Sequence, residues 1–456
     1  MSLSAPVGSV AGLREAARRH LWMHFSPLGD AGGDPPVIVR GDGCHVWDDE
    51  GRRYLDGLSS LFCVNAGHGR VELGEAAAAQ ARELGYSTVW GSAHPRAIEL
   101  AERVAGLAPD GLERVFFTSG GSEAVESALK LVRAYHRARG EPARTKLIAR
   151  DLAYHGTTMG ALSLTGLESI KTDFAPLLPG VIHVPATVSY GLPADADALA
   201  PADAIEAAIV RADPATVAAV ILEPVQNSGG CLVPPPGYFP RVREICDRHG
   251  VLLISDDTIC SWGRLGTWFG AQRFDDVPDI ITTAKGLTSA YVPMGAMIVS
   301  ERVAEPFASG PAVFAHGLTF GGHPVAAAVA LANLDILERE GLLGHVRRNE
   351  GALAVTLSGL RDLPIVGDVR GTGYFWGIEL VRDAKSTLRF EPPEARAVVD
   401  WLGRELHRRG LICRAADRGY PVIQLAPPLI AGPEEFAEME AILRPVIAEA
   451  GERFTA

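Results

Sequence analysis

The chain predicts an α/β fold, with a large domain on a mainly parallel sheet followed by a smaller α+β domain. Three observations carry this expectation. Through the middle of the chain, apolar runs of strand length alternate with stretches of helical period. The 50 Gly and 31 Pro among 456 residues stay below the roughly 25–30% that marks low complexity. From about Gly322 the pattern changes to long Ala/Leu-rich helices and short strands, which marks the second domain.

The elements follow in order. Arg114 to Phe117 reads as a buried strand, and Thr118 to Gly121 as a turn. Ala124, Ala128, Leu129, Val132 and Tyr135 then recur at helical spacing until Gly140 and Pro142 stop the helix. Further strands are predicted at Lys146 to Ala149, Val217 to Leu222, Val251 to Ser255, Ile280 to Thr283 and Ala296 to Val299. Val242, Ile245 and Cys246 share one face of a helix that Gly250 ends. Pro185 to Asp203, rich in Ala, Pro and Asp, reads as a surface connection. No internal repeat is present.

A net charge of −12 gives no overall attraction to nucleic-acid phosphates or anionic lipid, so small-molecule chemistry is expected and neither a nucleic acid nor a membrane is an expected partner. The six cysteines contain no CxxC pair, which suggests neither a disulfide framework nor a cysteine zinc site. Arg14, Glu15, Arg18 and Arg19 interrupt the N-terminal region, and no run of about 18 apolar residues occurs. A reducing cytoplasm is the expected location. His20 with His24, and His316 with His323, lack the HExxH or carboxylate set of a metal centre, and no metal is expected.

Open α/β sheets place ligands beyond the carboxyl ends of their strands, and three such ends carry unusual residues. Gly120, Gly121 and Ser122 follow the first strand and open a helix, which suits either a phosphate cradle or a tight turn. Asp256 and Asp257 end an apolar run, where a carboxylate needs a cation or donor, or caps the following turn. Lys285 follows Ile280 to Thr283; an isolated lysine belongs at the surface, but apolar flanks suit a desolvated, Schiff-base-forming amine.

Six blocks in order, FFTSGGSEAVESALK, AYHGTTMGALSLTG, ILEPVQ, LLISDD, TTAKGL and HGLTFGGHPVAAAVAL, resemble the class III aminotransferases, pyridoxal-phosphate enzymes of fold type I. DGLSSLFCVNAGHGR and GLICR make the chain similar to the ω-amino acid or amine:pyruvate transaminase subgroup. The resemblance implies an N-terminal segment at 1–70 packing with the small domain, a cofactor-binding domain at 71–321 and a small domain at 322–456. It also implies that Lys285 holds pyridoxal 5′-phosphate covalently and moves the substrate proton, while Asp256 pairs with the pyridine nitrogen. Tyr154 would stack on the ring, with His155 and Gly156 shaping that wall and Glu223 and Thr258 also at the cofactor. Gly120, Gly121 and Ser122 would meet the phosphate. Thr319 would reach it from a second subunit, which implies a homodimer, or a tetramer built from it, with shared active sites. Phe62, Trp90, Tyr154 and Arg414 would line the substrate side.

Three positions depart from the family pattern: Thr258 stands where Val is usual, Gly120 where Ser or Thr is usual, and Phe62 where the subgroup often has Trp. Ser228 occupies the place of a Glu that masks the substrate-binding arginine in ornithine and γ-aminobutyrate aminotransferases. An unmasked Arg414 could grip a carboxylate and swing away for an apolar group.

The expected activity is ping-pong transfer of an amino group from a primary amine or ω-amino acid to pyruvate or a similar 2-oxo acid. The alternative within the family is a decarboxylating aminotransferase or aminomutase. A nucleotide-binding dehydrogenase leaves Lys285 and Asp256 unexplained, and a silent binding protein has no need of both.

Overall fold

A computed structural model describes residues 10–28, 36–187, 196–417 and 421–455. Its central sheet has seven strands, ordered Leu112–Thr118, Gly295–Ser300, Ile280–Thr283, Leu252–Asp256, Val217–Leu222, Lys146–Arg150 and Val181–Val184. Gly295–Ser300 runs antiparallel to both neighbours, and the other adjacent pairs are parallel. The sheet is thus mainly parallel, as its strand-and-helix alternation predicts.

The continuous apolar runs arise because helices cover both faces of the sheet. Side chains of residues 219–222 alternate between them: Ala219 and Ile221 join Val125, Leu129 and Val132 on one side, while Val220 and Leu222 join Ile205, Ile209, Val242 and Ile245 on the other. Helix Gly121–Ala138 buries the stripe read from the sequence, and Gly140 follows its end in the left-handed region. Helix Tyr238–His249 ends at Gly250, likewise left-handed. The segment 185–203 differs from expectation at its end. A helix begins at Ala200, because Pro201 suits the first turn where its missing N–H leaves no bond unmade; residues 188–195 of that segment lie outside the described residues.

Two smaller sheets lie apart from the central one. Near the N-terminus, Ile38–Asp42, His45–Asp48 and Arg53–Asp56 form a meander that Leu411–Ile412 extends in parallel. Toward the C-terminus, Val366–Thr372, Phe375–Leu380, Pro421–Leu425 and Arg414–Asp417 form an antiparallel sheet. Helices Pro392–Arg408 and Pro433–Phe454 pack together beside it. Arg264 ties these regions to the central domain. Its fully buried guanidinium donates to the carbonyls of Tyr374 and Pro427 and to the side chains of Ser59 and Asn65.

Candidate active site

Asp256 is the last residue of its strand, Glu223 follows Leu222 directly, and Lys285 lies just beyond Thr283. Helix Gly121–Ala138 opens beside them, so four chain segments converge on one edge of the sheet. They line a cavity of about 250 Å³. Of the residues singled out in the sequence, Phe62, Gly121, Ser122, Tyr154, His155, Gly156, Glu223, Asp256, Thr258, Lys285 and Arg414 line it.

The backbone at Lys285 is held in an unfavourable conformation. Its φ is 46°, in the left-handed region that costs a non-glycine residue on the order of 1–3 kcal/mol. Neighbours fix it there. Asn333 donates to the carbonyls of Gly286 (2.9 Å) and Leu287 (3.0 Å), and Ser289 donates to Asn333 at 2.7 Å. A Cβ at Gly286 would come within 2.3 Å of Asn65 Nδ2, so only glycine allows this close approach. Asn65 is held in turn by Arg264 at 2.8 Å. Burial pushes the Lys285 amine below its ordinary pKa, against the opposing pull of Asp256 and Glu223.

Asp256 is buried and heavily bonded. Oδ2 meets His155 Nδ1 at 2.8 Å, while Oδ1 accepts from the Thr258 hydroxyl at 2.5 Å, the Thr282 hydroxyl at 3.1 Å and the Thr258 N–H at 3.2 Å. Burial alone would raise its pKa. The His155 contact, the Thr258 hydroxyl and the Lys285 charge outweigh burial and hold it below the usual carboxylate range. Glu223 behaves oppositely, since burial dominates and pushes its pKa up. Its oxygens accept from the N–H groups of Tyr154 (3.2 Å) and Asn227 (3.0 Å), which fixes two residues of the cavity wall.

At the helix end, Ser122 Oγ accepts from the Thr157 N–H at 3.3 Å. A Cβ at Gly156, where φ is 120°, would lie 2.3 Å from Ser122 Oγ, so glycine is required there on two counts. Gly120 caps the helix in an extended conformation with open space around it and does not line the cavity. A serine or threonine side chain would fit at that position.

Trp90 and Thr319 stand elsewhere. Trp90 is 62% exposed and lines a separate groove with Phe116, Lys130, His316 and Gly317. Thr319 is exposed, and its carbonyl accepts from Tyr86 at 2.7 Å. Within one chain Trp90 does not line the Lys285 cavity, because its ring packs instead on Gly317, where a Cβ would come within 2.6 Å of it. Ser228 is buried with no partner for its hydroxyl, and it places no carboxylate near Arg414. His316 Nδ1 accepts from Lys130 and its Nε2 meets the Ser127 hydroxyl, both at 2.9 Å, and His323 caps the helix Pro324–Arg339. Among the described residues no group of three or more His, Cys, Asp or Glu is gathered for a metal ion.

Sequence reasoning missed Phe25, Leu61, Asn227 and Ile259 in the cavity wall. Leu61 and Asn227 adjoin residues already singled out, and Ile259 follows Thr258. Phe25 belongs to a segment without periodicity or motif.

Comparison with known proteins agrees with this geometry. The family model described as aminotransferase class-III matches residues 30–447. A probable aminotransferase of Mycobacterium tuberculosis is 55% identical over 99% of this chain and 98% of its own length. The putrescine–pyruvate aminotransferase of Pseudomonas aeruginosa is 39% identical over 90% of this chain and 89% of its own. Among solved structures, a thermostable (S)-enantioselective omega-transaminase from Thermomicrobium roseum superposes with a TM-score of 0.92 at 41% identity, over 98% of this chain and 100% of that one. With a matching model across most of its length and relatives of this similarity, the chain belongs to the class III aminotransferases.

Proposed function

We propose that this aminotransferase moves the amino group of a primary amine or ω-amino acid to pyruvate or a similar 2-oxo acid in a ping-pong cycle, with pyridoxal phosphate attached covalently to Lys285. The observation that carries the reading is the meeting of a desolvated lysine, an ionised buried aspartate and a helix N-terminus in one cavity. The named activity of the Pseudomonas aeruginosa relative supports the choice of substrates.

Class III aminotransferases are pyridoxal-phosphate enzymes, and the residues present fit that group. Asp256 Oδ2 carries one donor and keeps acceptor capacity for a ring N–H. The helix beginning at Gly121 directs its N-terminus into the cavity, where a phosphate is favoured. When bound, pyridoxal phosphate supplies a protonated pyridine ring that draws electrons from the substrate carbon bearing the migrating nitrogen. Asp256 holds the proton on the ring nitrogen. Lys285 Nζ takes the proton from that carbon and returns it one position away, a task suited to an amine of lowered pKa. Tyr154 covers the ring, Phe62 and Trp90 face the substrate, and Arg414 meets the acceptor carboxylate.

Trp90 and Thr319 fit this reading through a homodimer. The groove beside Trp90 holds about 1020 Å³ and is largely apolar, and Val313 and Phe320 nearby are 81% and 62% exposed. A second copy seated there would bury them and bring Thr319 and Trp90 to its own cofactor site. The division into 1–70, 71–321 and 322–456 is part of the same reading, supported by the strand pairing of Arg53–Asp56 with Leu411–Ile412. Six unpaired cysteines support a cytoplasmic location, and among the described residues no helix is long and apolar enough to cross a membrane.

An absorption scan of the purified protein followed by an amine panel with pyruvate tests the proposal. The expected result is a visible cofactor band bleached by amine, with alanine formed. A protein that takes up pyridoxal phosphate and shows no amine-dependent bleaching would rule the activity out.

A further inference from the structure

The two oxygens of Asp256 are unequally loaded. Oδ1 accepts three donors, from the Thr258 hydroxyl (2.5 Å), the Thr282 hydroxyl (3.1 Å) and the Thr258 N–H (3.2 Å), whereas Oδ2 meets only His155 Nδ1 (2.8 Å). A carboxylate oxygen has about two lone-pair sites, so Oδ1 is saturated and Oδ2 is the oxygen able to receive another donor. The Thr258 hydroxyl makes the shortest of these contacts. Its methyl group points toward Gly121, with Cγ2 2.8 Å from where a Cβ on that glycine would be.

We propose that Thr258 is a positioning residue for the cofactor: its hydroxyl locks Oδ1 of Asp256 so that Oδ2 faces the ring nitrogen. This rests on the reading of the cavity as a pyridoxal-phosphate site. Valine would keep the shape and the methyl contact but give up the hydrogen bond, so the hydroxyl can be removed without opening a hole. Without that bond the carboxylate is fixed on the Oδ1 side by Thr282 and one N–H alone and rotates more freely about its last bond. The titratable groups around it are His155, Lys285, Glu223 and Asp257, and none of these bonds to Oδ1, so none can replace the hydroxyl there.

The test compares the parent with Thr258→Val and Thr258→Ser, alone and in an Asp256→Asn background. Apoprotein is titrated with pyridoxal phosphate, and the visible spectrum of the loaded protein is followed against pH. Thr258→Val should weaken cofactor binding about tenfold, the loss of one hydrogen bond to a charged group, and shift the spectral titration. Thr258→Ser should return both readings close to the parent. In the Asp256→Asn background, Thr258→Val should add little, since the partner is already altered. Parent-like binding and titration in Thr258→Val would overturn the proposal. Equal damage from Val and Ser, or full additivity with Asp256→Asn, would also overturn it by leaving only a packing role. Failure of the parent itself to develop a visible band would instead reject the cofactor reading, a result separate from any effect of position 258. Thermal unfolding of each apoprotein identifies a variant that does not fold, and if Thr258→Val is one, the serine variant decides the case: parent-like cofactor binding and spectral titration support the hydroxyl, and weakened binding refutes it.

Discussion

His155 Nδ1 lies 2.8 Å from Asp256 Oδ2, with both side chains buried. The aspartate is held below the usual carboxylate range, so it accepts and the imidazole donates from Nδ1. Nε2 has no hydrogen-bond partner. The ring is thus oriented by the aspartate it supports, and the arrangement leaves Asp256 ionised despite full burial.

Replacing His155 by Ala should weaken that ionised state. Losing a hydrogen bond to a buried charge costs about 1.5–3 kcal/mol, and burial then raises the Asp256 pKa. A depressed carboxylate acts across the range above its folded pKa and fails as pH falls through it. The acid limb of the amine half-reaction should therefore move to higher pH in His155→Ala. Stopped-flow rates against pH would check this, and an unmoved acid limb would show that His155 does not govern Asp256.

Lys285→Ala should abolish multiple turnover, because the covalent anchor and the proton carrier are removed together. Binding of pyridoxal phosphate should persist through Asp256 and the helix end at Gly121. Borohydride reduction of the parent followed by peptide mass spectrometry should place the cofactor on the Lys285 peptide. Near-parent turnover in the variant would assign the chemistry to another lysine.

Asp257, next to Asp256, faces the other way. It is fully buried, bonded to Ser255 and to the N–H groups of Gly270 and Ala271, and burial pushes its pKa up to about 7. Asp276 is pushed up to about 7 as well, by burial and then by the charge of Asp257. The folded state holds protons here that the unfolded chain releases near pH 4, so stability is greatest below that unfolded pKa and is lost as pH rises through about 7. In Asp257→Asn, the melting temperature should fall less than in the parent between about pH 5.5 and about pH 8. Parallel curves for the two proteins would contradict the raised value.

The central sheet and its strand-end residues are legible in the sequence because each lies directly after an apolar run: Asp256 after Leu252–Ser255, Lys285 after Ile280–Thr283, Gly121 after the first strand. The support around Lys285 is not legible in this way. Asn65 and Arg264 meet across 199 residues of sequence, and Asn333 reaches Gly286 across 47. No local period or turn signal encodes such pairs. The N-terminal sheet is hidden for a similar reason, since its strands of four or five residues are partly exposed and its fourth strand, Leu411–Ile412, comes from far along the chain. Phe25 reaches the cavity from a segment with no pattern, and its role is set wholly by tertiary contact.

Arg414 provides the test of substrate choice. It lines the cavity from the strand Arg414–Asp417, while position 228, where a masking carboxylate would stand, holds a buried serine. If the guanidinium grips the acceptor carboxylate, Arg414→Ala should lose a charge-assisted and bidentate contact worth about 1.5–3 kcal/mol, or roughly tenfold to a hundredfold in apparent affinity. The loss should be selective. Pyruvate and ω-amino acids require the charge, so their KM should rise. An apolar amine paired with an uncharged aldehyde never brings a carboxylate to Arg414, and its kinetics should stay near those of the parent. Placing a glutamate at Ser228 should act in the same direction by pairing with Arg414, although a carboxylate in that buried turn also carries a desolvation cost. Steady-state kinetics with the two substrate pairs separate the possibilities. Equal damage to charged and uncharged substrates in Arg414→Ala would mean that Arg414 holds the cavity wall together and that carboxylate recognition lies with another group.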